Sequence, residues 1–147
     1  MITRAIIVAG GMGTRFLPST MTIPKEMLHL VDRPVLHYLL DEATESGVKE
    51  ICFVVSPEKE KVIKEYFLRD LARDDVFLKK DRYGLVGRLC EACDEIQITF
   101  ALQEKPMGNG DALLRVPQEF RQTPCAILFG DDLWQGPRPA LAQLAEA

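Results

Sequence analysis

The stretch Ala5-Ile6-Ile7-Val8-Ala9-Gly10-Gly11-Met12-Gly13-Thr14-Arg15 constrains the chain most. Its five leading residues are apolar, unbroken and partly β-branched, which predicts a strand buried on both faces of a sheet. Glycines follow at once at 10, 11 and 13, where they let a ligand come close to the main chain. Thr14 and Arg15 come next, then Pro18, Pro24 and Lys25. A strand feeding a glycine loop that ends in fixed cations is a phosphate-binding arrangement. Main-chain N–H groups converge on an anion, and an Arg fork grips its oxygens. The commoner glycine loops are excluded. The dinucleotide fingerprint needs a third glycine where Phe16 stands, and the P-loop needs a Gly-Lys pair that no glycine here supplies. Pro18 stops a long helix from starting directly behind the glycines.

The rest of the chain repeats the alternation of strand and helix. Ile51 to Val55, Ile96 to Leu102 and Cys125 to Phe129 read as three further strands, the middle one with a less buried face. Val35, Leu36, Leu39, Leu40 and Ala43 form a helical stripe, with Pro34 in its first turn, Asp32 as its cap and Gly47 as its stop. His37 on that helix reads as a packing residue. Ser56-Pro57 opens a second helix through Val62, Ile63, Tyr66 and Phe67. Residues 69–95 mix charges with Leu71, Val76, Leu78, Leu85, Val86 and Leu89, which predicts short helices on one side of the sheet with a solvated charged face. The pattern gives an α/β fold, a Rossmann-like and mostly parallel sheet with flanking helices and right-handed crossovers. Three loops, Gly10 to Lys25, Gln103 to Gly110 and Gly130 to Asp132, each follow a strand. They are therefore expected to gather at the carboxyl edge of the sheet, where ligands bind in such folds.

At 147 residues and 47% apolar content the chain is expected to be one globular domain. A net charge of -4 argues against a general nucleic-acid binder. No stretch approaches a membrane span, and the first apolar run stops at Gly10, short of a signal-peptide core. Cys52 and Cys125 sit in strand-like runs and read as small buried hydrophobes. Cys90 and Cys93 lack a second pair or a nearby histidine and read as structural. A reducing cytoplasm fits all four.

The longer string carries more. Gly10-Gly11-x-Gly13-Thr14-Arg15-Phe16-Leu17-Pro18-Ser19-Thr20, followed by Ile23-Pro24-Lys25-Glu26-Met27-Leu28, resembles the signature of the sugar-nucleotide pyrophosphorylases. The Phe-Leu-Pro and Ile-Pro-Lys-Glu-Met spelling is most similar to their bacterial uridylyl branch. Met21 and His29 depart from it, standing where that branch usually has lysine and proline. Asn109 and Asp111 depart again, in place of an apolar residue and histidine.

The resemblance implies a nucleotidyltransferase: glucose 1-phosphate attacks the α-phosphorus of UTP, giving UDP-glucose and pyrophosphate. Such transfers need positioning and charge stabilisation more than covalent help. Amides near Gly11, Gly13 and Thr14 would cradle phosphates, Arg15 would hold the departing pyrophosphate, and Lys25 would neutralise the transferred phosphate. Gln103 has a donor and an acceptor for the imide edge of uracil. Gly108 lets the main chain approach the base. Gly10 and Gly11 would face base and ribose from the other side, and Glu26 would accept a ribose hydroxyl. Asp131 would hold Mg²⁺, with Asp132 a weaker candidate. Taken alone, the second glycine loop and Gly-Asp-Asp read as ordinary turns. A thymidylyl- or other nucleotidyltransferase, a non-catalytic nucleotide-binding module and a purely structural domain remain alternatives.

The resemblance also runs only along the family's first half. The expectation is a nucleotide-binding half spanning residues 1–147, cut short before the sugar-phosphate pocket and the second metal aspartate. Such a chain alone would bind UTP–Mg²⁺ weakly and turn over negligibly. A sheet edge and apolar patch left uncovered would make it a homo-oligomer or dependent on a partner.

Overall fold

A computed structural model describes residues 2–68 and 75–146. The expected helical, charged segment at 69–74, with Leu71, lies outside the described residues. The main sheet contains β1 (Arg4–Val8), β4 (Glu50–Val55), β5 (Gln97–Leu102) and β6 (Ala126–Phe129), in the order β5-β4-β1-β6. All three pairings are parallel. The chain steps outward from β1 through β4 to β5, then returns past β1 to lay down β6, so the strand order reverses at β1. A short antiparallel hairpin, β2 (His29–Leu30) with β3 (Arg33–Pro34), sits between β1 and α1 (Val35–Glu45).

Alternation along the central strands sends side chains to two cores. Ala5, Ile7, Ala9, Ile51, Phe53 and Val55 face one side, packed with α1, α2 (Pro57–Phe67), α4 (Leu85–Glu95) and α7 (Ala140–Glu146). Phe53 is the hub of that side, stacked on Phe67 and Phe100 with ring centroids 5.1 and 5.5 Å apart. Ile6, Val8, Cys52, Val54 and Ala101 face the other side, against α5 (Asn109–Arg115) and α6 (Gln118–Gln122). With helices on both faces, β1 and β4 must be apolar on both, as their runs are. β5 is an edge strand and shows the less buried face expected of it. α3 (Asp75–Lys80) packs on α4.

Two local expectations need correction. Asp32 does not cap α1: the helix begins at Val35, Pro34 is extended at the cap position, and Asp32 instead accepts a hydrogen bond from the Tyr38 hydroxyl at 2.8 Å. Pairing of Arg33–Pro34 in the hairpin takes the chain away from the turn that a capping Asp32 would require. Cys125 is only half-buried, just ahead of β6, with its thiol donating to the Phe120 carbonyl. Cys52 is fully buried as expected, and burial pushes the Cys93 thiol up to about 12.

His37 is 2% exposed and meets the Tyr66 hydroxyl through Nδ1 at 2.9 Å. Burial, then the nearby Arg33 guanidinium, lowers its pKa from 6.5 to about 4, so it is neutral in the fold. The unfolded chain takes up this proton first as pH falls below the ordinary histidine value. Stability is therefore fully present above that value and declines towards the lowered one. Between about pH 7 and about pH 5 the loss should be about 2 kcal/mol. Urea denaturation of the wild type and of His37→Gln at both pH values checks this, and the variant should lose most of the slope.

Candidate active site

Hydrogen bonds at the strand ends bring the three loops together. Ala9 N donates to Val54 O at 2.8 Å, Gln103 N to Val55 O at 2.8 Å, and Gly130 N to Val8 O at 2.9 Å. The loops after β1, β5 and β6 therefore leave the sheet side by side. Contact is close enough to dictate residue type. A Cβ on Gly10 would lie 2.6 Å from Gln103 Oε1, and one on Gly130 would lie 2.9 Å from Glu26 Cγ and 3.0 Å from Val8 O.

The glycine loop is held from below. Lys59, in the first turn of α2, is 8% exposed, and its ammonium donates to both Glu26 carboxylate oxygens at 3.0 and 2.9 Å. It also donates to Ala9 O at 3.1 Å and to Gly11 O. With these carbonyls drawn inward, the N–H groups of Gly11, Met12 and Gly13 have no hydrogen-bond partner among the described residues. Thr20 Oγ1 donates to Gly13 O at 2.8 Å and ties the far side of the loop. Gly13, at φ 68, then turns the chain into a short 3-10 segment that begins at Thr14. Free amides on a fixed concave backbone suit an anion.

The cations differ in state. Arg15 is exposed and makes no ion pair among the described residues. Lys25 runs beneath Gly11 and Gly13, with its Nζ 2.5 Å from Asp131 Oδ2 and 3.7 Å from Glu26 Oε1. Asp131 stands at the end of β6 with its side chain 29% exposed, and Asp132 beside it is exposed.

Gln103 is 5% exposed. Its Nε2 donates to Gly108 O and to Asp111 Oδ2, both at 3.0 Å. Gly108, at φ 90, leads into α5. Arg115 in turn clasps Asp111, Nη2 to Oδ1 at 2.7 Å. That contact first, and the Gln103 amide second, hold the Asp111 carboxyl below its usual range. Between the first and second loops lies a cleft of about 370 Å³ lined by Gly10, Met12, Thr20, Lys59, Gln103 and Pro106 among others. Larger clefts of about 630 and 520 Å³ lie away from the glycine loop, against the hairpin and against α3 and α4.

The structure thus gathers Gly10, Gly11, Gly13, Thr14, Lys25, Gln103, Gly108 and Asp131 along one edge, with Arg15 at its rim. Glu26 is 0% exposed and accepts from the Lys59 ammonium through both oxygens, which braces the loop from below. The Gln103 donor is spent within the protein, which leaves only its acceptor for a base. Lys59 and Asp111 were not anticipated as parts of the site. The one sequence signal for Lys59 is a cation in the first turn of a helix, where the macrodipole disfavours it unless it is paired.

The profile of the family described as Nucleotidyl transferase matches residues 4–147. The chain belongs to the nucleotidyl transferase family. It is 39% identical over 146 residues to a UTP–glucose-1-phosphate uridylyltransferase of Mycoplasma pneumoniae, covering 99% of this chain and 50% of that protein. It is 40% identical over 148 residues to a putative UTP–glucose-1-phosphate uridylyltransferase of Bacillus subtilis, covering 100% of this chain and 53% of that protein. Among solved structures, the UTP-bound UGPase from Acinetobacter baumannii superposes with a TM-score of 0.85 at 30% identity, over 99% of this chain and 52% of that one. A UDP-glucose pyrophosphorylase complexed with UDP-glucose gives 0.81 at 30% identity, over 99% and 53%. The chain spans about half the length of the curated relatives it matches. These nucleotidyl transferase likenesses bear out the expected fold: a mostly parallel sheet with flanking helices.

The family's glycine loop rests here on a buried ion pair. Lys59→Met should therefore leave the Glu26 carboxylate buried without its partner, at about 3–5 kcal/mol. The double variant Lys59→Met, Glu26→Leu should recover much of that. Chemical denaturation of these two variants and of Glu26→Leu alone, set against the parent in a double-mutant cycle, measures the coupling.

Proposed function

We propose that residues 1–147 form the nucleotide-binding half of a uridylyltransferase that moves a uridylyl group from UTP to glucose 1-phosphate, yielding UDP-glucose and pyrophosphate. The observation that carries the reading is the set of unpartnered amides at Gly11 to Gly13 beside Arg15 and Lys25, within reach of the base-facing acceptor of Gln103. Relatives of this name and a UTP-bound structural neighbour support the choice of nucleotide.

In this role the amides of Gly11, Gly13 and Thr14 hold phosphate oxygens. Arg15 reaches over the rim to the departing pyrophosphate. Lys25 lies under the transferred phosphate and offsets the charge that builds there as the sugar phosphate attacks in line. Gln103 Oε1 accepts the imide proton of the base, and Gly10 and Gly108 leave room for its plane. Among the described residues no group of three His, Cys, Asp or Glu side chains forms a closed metal cage. A lone carboxylate at a strand end still fits Mg²⁺, which usually takes one or two carboxylates and completes its shell with phosphate oxygens and water. Asp131 would hold it, and the ion would supply charge neutralisation on the phosphates.

No helix among the described residues is long and apolar enough to cross a membrane. For this chemistry we propose a cytoplasmic setting. β6 forms one edge of the sheet and leaves Ile127 and Phe129 about half exposed. Through this edge we expect copies of the chain to associate.

Three measurements test the proposal. Calorimetric titration with Mg²⁺ and UTP, dTTP, CTP or ATP should rank UTP first, and a preference for any other nucleotide sinks the uridylyl assignment. Arg15→Ala should weaken UTP binding about tenfold with an unchanged melting temperature, since an exposed side chain contributes little packing. Analytical ultracentrifugation over a concentration series should show mass rising with concentration. A constant monomer mass would refute self-association.

A further inference from the structure

The Gln103 carboxamide is clamped in one of its two orientations. Its Nε2 has two hydrogens, and both are used: one on Gly108 O at 3.0 Å and one on Asp111 Oδ2 at 3.0 Å. Oε1 is thereby turned the other way, over Gly10, where a Cβ would sit 2.6 Å from it. An ionised carboxylate can only accept hydrogen bonds. Rotating the carboxamide by half a turn would press Oε1 against two acceptors at once, the Asp111 carboxylate and the Gly108 carbonyl. Asp111 is itself aimed by Arg115 one helical turn away, Nη2 to Oδ1 at 2.7 Å and Nε to Oδ2 at 3.4 Å. The guanidinium keeps that carboxyl ionised, its pKa held below the usual value.

We propose that Asp111 is a specificity-setting positioning residue: through Gln103 it fixes an acceptor at the base edge, which selects a pyrimidine carrying a ring N3–H over one whose ring N3 is an acceptor. The inference rests on the reading that Gln103 faces the base. Uracil and thymine bring an N3–H to Oε1. Cytosine in the same register brings a lone pair to a lone pair. Asp111 touches no ligand in this scheme and acts only through the carboxamide.

Asp111→Asn is nearly isosteric. Arg115 should claim the new amide's oxygen and leave its NH₂ facing Gln103, which favours the opposite carboxamide orientation. Asp111→Leu removes the charged half of the clamp and leaves only the Gly108 carbonyl. Titrations of UTP–Mg²⁺ and CTP–Mg²⁺ with the full chain, alongside melting curves, should show the UTP-over-CTP affinity ratio falling about three- to tenfold in each variant. A purely structural role would weaken both nucleotides equally. Either variant that folds and keeps the parent ratio, or loses both nucleotides in proportion, overturns the proposal. Gln103→Ala separates this from failure of the underlying reading. If that variant also keeps the parent ratio, Gln103 does not face the base and both ideas fall. If it changes the ratio while the Asp111 variants do not, only the role of Asp111 falls. A parent chain that binds neither nucleotide refutes both.

Discussion

The buried pair of Lys59 and Glu26 sets the position of everything else at the site. An ammonium with little access to water must spend its three protons, and here it spends them on the Glu26 carboxylate and on the carbonyls of Ala9 and Gly11. Those carbonyls belong to the last residues of β1 and the first of the glycine loop. The N–H of a planar trans peptide lies opposite its carbonyl, so these two bonds turn the N–H groups of Gly10 and Met12 away from Lys59. The same carboxylate lies against Gly130, whose missing side chain makes room for Glu26 Cγ. One ion pair therefore registers α2, the loop after β1 and the turn after β6 against one another. Buried pairs of this kind give little net stability but much geometric definition when every proton is satisfied.

Local pattern and tertiary placement divide what the sequence reveals. The four strands lie within one residue of the runs read from the chain. For β1 and β4 the reason is that a strand buried on both faces must be apolar along its length, and few segments are; β5 is legible instead by its alternation, as an edge strand with one less buried face. The gathering of three loops followed from parallel topology alone. Side-chain direction was not legible. Glu26 sits inside the motif that marks the site, and the motif fixes its proximity without saying whether it points up to a ligand or down to a lysine. Lys59 is spelled in Pro-Glu-Lys-Glu-Lys, a stretch indistinguishable by composition from a solvated helix turn. Only its distance from β1 in the folded chain reveals its partner. Asp32 misled because Asp-x-Pro suits a helix start and a tight hairpin equally well, and pairing with His29–Leu30 decides between them.

Asp111 illustrates the same limit from the other direction. In sequence it is a departure from the uridylyl pattern and reads as a weakening of the match. In the fold it is occupied twice, by Gln103 and by Arg115, and its charge dictates which end of a carboxamide meets the cleft. A residue that departs from a motif can therefore still orient its neighbours, as Asp111 does through Gln103 and Arg115.

The charges around the cleft are also arranged so that the site holds few free cations before anything binds. Lys59 is neutralised by Glu26, Arg115 by Asp111, and Lys25 by Asp131. Only Arg15, of the cations discussed, stands unpaired at the rim. On the proposed function the Lys25–Asp131 contact is the one that must open, because both partners have other work. Its two side chains are more accessible than those of Lys59 and Glu26, where Glu26 is sealed. On that reading Asp131 would hold a divalent cation and Lys25 a phosphate, each taking the place of the partner it has here. The ammonium then never faces the low-dielectric site unpaired, and the cost of exposing it is met by the ligand itself. The pair beneath, Lys59 with Glu26, is separate from this contact and holds the carbonyls of Ala9 and Gly11.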